Sequence, residues 1–336
     1  LIFLSASIVT YLSIFGLETS KFNNLIVKEI KKKNPEIELK LEKVKLKLDI
    51  KKIHLFISTN YPELVYQNIK IPITEIKIYT KINKIFKSKI EISQIIFGVE
   101  KFKTNEIQKI AIRIKPSNFK TYLLNNVKNG EIEKAIFDLN IDKDFKLIDY
   151  IVSGSIKKID AKVARDLVIK DVSFNFIIEN KLALINSIKG SYAGVTVSNG
   201  FIDIKKEKEI KINGKFKSDF SLKEDQLNTL FTNVKFLKEN KIEMQGSLLH
   251  NFDLKINNNF KIVDYNYKSS GEIAQAQVNL KNGYKNNFIE KKIKKIFFKK
   301  NKLEIIFNHQ NKNLLLFDGL YSFNESNYKT IKVKHN

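Results

Sequence analysis

From Ile37 onward, apolar and polar residues alternate with a period of two. Ile37, Leu39 and Leu41 alternate with Glu38, Lys40 and Glu42. After a one-residue slip at Lys43 the pattern resumes at Val44, Leu46, Leu48 and Ile50, then slips again and continues at Ile53, Leu55 and Ile57. Period two predicts strands with one apolar face, and each slip predicts a turn or bulge, because one extra residue flips the face. Thr59-Asn60-Tyr61-Pro62 reads as a turn. Ile69, Ile71, Ile73, Ile76 and Ile78 continue the alternation, with Pro72 pointing to an edge or bulge. Further strands are predicted over Ile90–Phe97, Ile107–Ile114, Glu131–Leu139 and Val152–Ile159. In the second half a Gly-polar-apolar triplet recurs at Gly154, Gly190, Gly214, Gly246 and Gly271, each at the start of or within an alternating run. Asn199-Gly200 between Val197 and Phe201 predicts a hairpin turn. The uneven intervals favour an antiparallel meander over a strict solenoid repeat.

Helical patterns are few. Residues Leu1 to Gly16 carry no charge and extend about 24 Å as a helix, short of a ~30 Å hydrocarbon core. The chain opens without Met, so a truncated membrane anchor is the expectation, with a signal-peptide core as its rival and Ser5, Ala6 and Ser7 as the cleavage zone. Phe22, Leu25, Ile26 and Ile30 form one stripe of an amphipathic helix that Pro35 stops, with Lys28, Lys31, Lys32 and Lys33 gathered toward its end. Ser117 with Phe119, Tyr122 and Leu123 predicts a helix ended by Asn129-Gly130. Ser221-Leu222-Lys223-Glu224 reads as a capping box before Leu227, Leu230, Phe231, Val234 and Leu237. Phe288–Lys300 fits either a helix or a strand and loop. The expected organisation is an anchor over 1–16, a juxtamembrane helix over 17–34 and one β domain over 35–336.

Charge and chemistry narrow the function. The 336 residues carry 60 basic and 36 acidic side chains, a net +24. The only arginines are Arg113 and Arg165, so the excess is lysine, interleaved with apolar residues as on the wet side of strands. Bidentate base or phosphate recognition favours Arg, and no nucleic-acid motif is present, so no nucleic-acid partner is expected. The densest cluster, Lys291, Lys292, Lys294 and Lys295 with Lys299 and Lys300, is a candidate for anionic lipid headgroups. Absence of cysteine excludes disulfides, thiolate metal sites and Cys nucleophiles. His54, His250, His309 and His335 are scattered without metal spacing, and read as solvated or structural. The same-face carboxylates Asp142/Asp144 and Glu131/Glu133 read as solvated. No phosphate loop, nucleophile elbow or zinc motif appears, so neither a cofactor nor an enzymatic activity is expected.

A long sheet with one apolar face must cover that face. The few short helices cannot, so the sheet either closes on itself or curls into a trough that holds something else apolar. The N-terminal order carries a resemblance: an apolar helix, Gly16-Leu17-Glu18-Thr19 with Phe22-Asn23, a basic amphipathic helix, Asn34-Pro35, then Val44-Lys45-Leu46-Lys47-Leu48. This order resembles the AsmA-like superfamily, as do residues 188–204 and 211–220 further on. The resemblance implies a mainly β fold, a long curled antiparallel sheet forming a groove behind an N-terminal transmembrane helix. It implies anchoring in a bacterial inner membrane, a periplasmic body, and phospholipid carried toward the outer membrane. Burying one CH₂ is worth about 0.8 kcal/mol, so a lipid with about 30 of them meets a barrier of up to roughly 24 kcal/mol to full exposure. An apolar groove removes most of that barrier without any catalytic group. The expected groove lining is Leu39, Leu41, Val44, Leu46, Leu48, Leu55, Ile57, Ile71, Ile76 and Ile78. The competing expectations are an assembly factor that binds outer-membrane polypeptides by strand addition, and a closed outer-membrane barrel.

Overall fold

A computed structural model describes residues 2–21, 23–52, 54–80, 92–113, 118–164, 167–230, 234–257, 261–285, 287, 291–310, 312–324 and 326–336. Leu1, Phe22, Ile53, Ile90, Ile114, Ser117, Arg165, Phe231 and Phe288 lie outside the described residues, as do the side chains of Leu25, Lys33, Phe119, Tyr122 and Leu123. The described chain is mainly β, with one 17-stranded antiparallel sheet, a separate three-stranded sheet and six short helices. It divides into two compact units, residues 1–160 with 175–180, and residues 161–174 with 181–336.

The first unit begins with α1 (Ile2–Ile14), β1 (Leu17–Thr19) and α2 (Asn23–Lys33). Strands β2 (Ile37–Lys40), β5 (Glu63–Tyr66) and β6 (Ile69–Ile71) form the small sheet. In the large sheet β1 pairs with β3 (Val44–Asp49), followed by β4 (His54–Asn60), β7 (Ile73–Thr80), β8 (Ile92–Lys103) and β10 (Glu131–Ile141). Between β8 and β10 lie α3 (Thr104–Arg113), α4 (Asn118–Asn126) and β9 (Val127–Lys128). The break at Lys43 is thus real, since it separates strands of different sheets.

Registers explain why the alternation holds. Leu46, Ile57, Ile78, Ile95, Leu139 and Tyr150 form one continuous cross-strand row. Beside it Thr59, Ile76, Phe97 and Phe137 form another, with the two rings stacked at 4.6 Å. Onto this face pack Ile26 and Ile30 of α2, Leu39, Leu64 and Ile71 of the small sheet, and Ile107 and Ile110 of α3.

The junction after α1 is stiff. The Gly16 N–H donates to the Tyr11 carbonyl and Gly16 sits at φ 73, a left-handed helix stop that favours glycine. The Lys47 ammonium donates to the Ile14 carbonyl at 3.3 Å. Asn23 at the start of α2 donates to the carbonyls of Leu41 (2.9 Å) and Glu42 (2.8 Å).

β11 (Leu147–Ala164) and β12 (Leu167–Glu179) run through both units. The second unit continues as a meander of β13 (Leu182–Tyr192), β14 (Val195–Lys206), β15 (Ile210–Leu222), β16 (Lys241–Ile256), β17 (Ile262–Tyr284), β18 (Ile293–Asn308), β19 (Leu314–Phe323) and β20 (Lys329–His335), each paired with the next. Its helices are α5 (Glu224–Leu230) and α6 (Lys235–Glu239).

Several expectations change. No helix among the described residues is long and apolar enough to cross a membrane; α1 has 13 residues. Ile107–Ile114 is helical over its described part, not a strand. Ile107, Ile110 and Ile114 satisfy a helical repeat as well as Ile110, Ile112 and Ile114 satisfy alternation, and the core takes Ile107 and Ile110 while Ile112 stays exposed. Asn199-Gly200 is not a turn. Asn199, at φ 52, sits in a bulge of β14 between Ser198 and Phe201, while Ala193 and Gly194, at φ 44 and 82, make the hairpin. Gly200 is needed there because Ile188 Cβ lies 2.6 Å from where a Gly200 Cβ would project. From Ile293 the ambiguous lysine-rich segment is strand. The capping box is displaced by two residues: Ser221 remains in β15, and the Gln226 side chain accepts the Lys223 N–H at 2.7 Å.

Candidate functional site

Most of the expected groove lining is core. Leu39, Val44, Ile57, Ile76 and Ile78 are buried, and Leu41, Leu46 and Ile71 pack against them. Leu48 and Leu55, paired across β3 and β4, are half-buried and outside that cluster. The first unit thus fills its apolar face with α2, α3 and the small sheet.

The second unit fills its own only at one end. On β15 the even-numbered residues Ile210, Ile212, Gly214, Phe216, Ser218, Phe220 and Leu222 share one face, and Lys211, Lys215, Lys217 and Asp219 the other. Cross-strand registers carry this division over the sheet. One row is Phe216, His250, Ser269, Ile305 and Leu315. Below it run Gly214, Phe252, Tyr267 and Phe307, then Ile212, Leu254 and Tyr265. Above it run Ser218, Leu248, Gly271, Leu303, Phe317 and Val333. The opposite face carries ion pairs, among them Lys255–Asp264 at 2.9 Å and Lys268–Glu304 at 2.7 Å.

Helices α5 and α6 cover the far rows, where Leu222, Leu227, Ile242 and Val278 are buried with Leu230, Leu237, Met244 and Phe298 around them. Within the second unit no other described helix and no second sheet exists to cover the rest. On that face Phe307 is 48% exposed, Val333 40% and Leu315 36%. A cleft of about 520 Å³ adjoins α6, lined by Phe236, Leu280, Tyr284, Ile293 and Phe323.

Aromatic rings cross this face as a ladder. Phe216 stacks on His250 at 4.4 Å, and His250 and Tyr267 lie 6.0 Å apart. Tyr267 and Phe307 follow at 6.4 Å. Glycines make room for the rings. A Cβ on Gly214 would stand 2.2 Å from Phe252 Cζ, and one on Gly246 2.7 Å from Phe220 Cζ. Of the five recurring glycines, Gly214 and Gly246 are therefore mid-strand seats for aromatic rings, while Gly154 and Gly271 lie against cross-strand backbone and Gly190 against Ile169 and Val172.

One polar group interrupts the ladder. His250 Nε2 lies 2.6 Å from Ser218 Oγ and Nδ1 lies 2.7 Å from Tyr267 Oη. Ser218 is 4% exposed and His250 8%. Burial pushes the His250 imidazolium down from its ordinary 6.5 and raises the Tyr267 phenol. The Ser–His contact is that of a nucleophile and its base. A phenol takes the place of the usual carboxylate, however, and both residues sit mid-strand within regular pairing.

The depressed His250 value has a consequence for stability. The unfolded chain takes up a proton near 6.5, where the folded ring resists it, so stability is complete above that pH and falls as pH drops toward the folded value. The melting temperature should fall between pH 7 and 5, with a smaller fall in His250→Asn. Equal slopes in the two proteins would show that His250 plays no part.

The remaining candidates find structural roles. Glu133 pairs with Lys157, whose ammonium holds its carboxyl below the usual range, and also accepts from Ser155 at 3.2 Å. Asp142 accepts the N–H groups of Lys146 and Asp144, both at 2.8 Å, and is held low by them. His54 is half-buried opposite Asp49, and His309 and His335 are exposed. Lys291, Lys292, Lys294 and Lys295 are all exposed, the last two with their backbone N–H groups held by Asn324 Oδ1. Among the described residues no three metal-ligating side chains come together.

The lining residues expected from the sequence lie in the first unit, mostly within its core, and the more exposed apolar rows lie in the second. The signal for the second-unit face was present in Ile210, Ile212 and Phe216 and in Tyr265 and Tyr267. The polar group across β15, β16 and β17 left no signal, because its members are 32 and 17 residues apart. Comparison with protein-family models, with curated proteins and with solved structures finds no match.

Proposed function

We propose that the chain is a membrane-anchored lipid conduit of the bacterial envelope, non-enzymatic and without a cofactor, and that the uncovered apolar face of the second unit is its lipid-bearing surface. The observation that carries this reading is the row structure of that face: several rows of Ile, Leu, Phe and Tyr, left open beyond α5 and α6 and backed by a charged opposite face. Acyl chains lying there stay out of water along the whole strand length, which lowers the cost of moving them.

The anchoring part of the proposal rests on α1. It has no charged residue, and Phe3, Ile8, Tyr11, Ile14 and Phe15 at and beside it are exposed, as suits a bilayer seat. The Gly16 stop and the Lys47 contact fix its direction relative to β3. Inner-membrane placement with a periplasmic body follows from the AsmA-like resemblance, and Lys291, Lys292, Lys294 and Lys295 are proposed to meet anionic headgroups.

The test is the full chain purified from membranes in mild detergent, with bound material identified by mass spectrometry. Co-purifying phospholipid, and transfer of a fluorescent phospholipid between vesicles, are expected. Protein free of lipid that catalyses no transfer would end the reading, and photo-crosslinks from Phe307 that trap only polypeptide would replace it with strand addition.

A further inference from the structure

The apolar face holds four polar side chains in one place: Ser218, His250, Tyr267 and Ser269. His250 and Ser269 face each other directly across β16 and β17, and Tyr267 and Ser218 lie one row below and above. Their neighbours on the same face are Phe216, Leu248, Phe252, Leu303, Ile305 and Phe307. Burying polar groups among such residues costs free energy unless each finds a partner.

Counting hydrogens shows that the partners are incomplete. With His250 neutral, Ser218, His250 and Tyr267 carry three polar hydrogens between them, one on each. Two hydrogen bonds link them, and each uses one hydrogen. One O–H is therefore left over whichever tautomer the ring adopts: that of Ser218 with the proton on Nε2, that of Tyr267 with it on Nδ1. Ser269, 1% exposed with its hydroxyl buried beside the Tyr267 phenol, adds one more hydrogen and at most one more bond, so the surplus remains. The cluster is thus rich in donors. Neither a carboxylate nor an ammonium stands among its neighbours on that face.

We propose that Ser218, His250, Tyr267 and Ser269 form a polar subsite that holds the carbonyl oxygen of an acyl lipid lying on the apolar face. This inference rests on the lipid reading above. A carbonyl oxygen accepts the spare hydrogen and brings no formal charge into an apolar surface. Its acyl chain continues over the flanking Phe and Leu side chains. The subsite gives the face a registration point, at which a sliding chain pauses with its polar end seated. Both a glycerolipid ester and a protonated free fatty acid present this oxygen.

The experiment uses the full chain loaded from phosphatidylcholine vesicles with three radiolabelled sixteen-carbon probes: hexadecane, methyl palmitate and palmitic acid. The comparison protein carries Ser218→Ala, His250→Phe and Tyr267→Phe together, which keeps the shapes and removes the donors. The expected result is a loss of carbonyl-probe loading by about fivefold to tenfold, the scale of one hydrogen bond, with hexadecane loading unchanged. A loss confined to methyl palmitate assigns the site to ester lipids, and one confined to palmitic acid assigns it to free fatty acids. Because the triple variant must also fold, a second readout uses the unaltered protein. The ¹⁵N resonances of the His250 ring should shift with either carbonyl probe and stay put with hexadecane. If all three probes load equally into both proteins and the ring resonances do not move, the cluster is structural and the inference falls while the lipid face stands. If the unaltered protein loads none of the three, the lipid reading falls and the inference with it.

Discussion

Replacing Val44 by Asp strongly destabilises the first unit. Val44 is 0% exposed, lies opposite Thr19, and stands in the cluster that Ile26, Leu39, Ile57 and Ile76 share. A carboxylate there has no cation within the cluster and loses its water, so it either stays charged at high cost or takes up a proton and leaves a polar group unpaired. The expected loss is about 4 kcal/mol or more, which places it among the most damaging single substitutions. For a unit of this size that lowers the melting temperature by roughly 8–16 °C. Circular dichroism melting of the full chain measures it. A variant that melts with the unaltered protein would mean that this cluster is an open surface after all, which is what a groove at Val44 and Leu46 requires.

The same substitution at Phe307 has the opposite profile. Phe307 is 48% exposed on the open face, at the end of the ring ladder beyond Tyr267. Half of the new carboxylate's surroundings are already water, so the fold loses at most about 1 kcal/mol. The lipid path is affected far more. A charge beside the acyl chain obliges it to keep water in the face, and phospholipid transfer should fall at least tenfold. Phe307→Leu, which keeps the surface apolar, should transfer almost normally. Transfer by Phe307→Asp at the unaltered rate would place the lipid elsewhere or remove it from the function. Together the two Asp variants separate a packed face from an open one by what each loses: stability at Val44, transport at Phe307.

The sequence made the strands readable because lysine and isoleucine alternate so regularly. The row Leu46, Ile57, Ile78 links residues that alternation had already assigned to one side. What alternation cannot express is coverage. Val44 and Phe216 obey the same rule, yet α2, α3 and the small sheet come to rest on the first unit's face, while among its described residues the second unit supplies α5 and α6. That outcome depends on where Ile26, Leu39 and Ile107 travel in space, and they are distant in sequence from much of what they cover. The helix over Thr104–Arg113 was hidden because its isoleucines fit two periods at once. Asn199-Gly200 misled because left-handed backbone serves bulges as well as turns, and only the pairing partner Ile188 tells them apart.

The bulges of the second unit share a property. In β13 the apolar side passes from Ile185 to Ile188, in β14 from Val197 to Ile202, in β17 from Ile273 to Ala276 and in β18 from Phe298 to Asn301, each an odd step. Every one of these strands therefore changes phase midway and still keeps its greasy residues on one side. Single-codon gains or losses within such a strand would turn half of it inside out unless they fell at the bulge itself. Descendants of this sheet are thus free to vary strand length at those points and almost nowhere else.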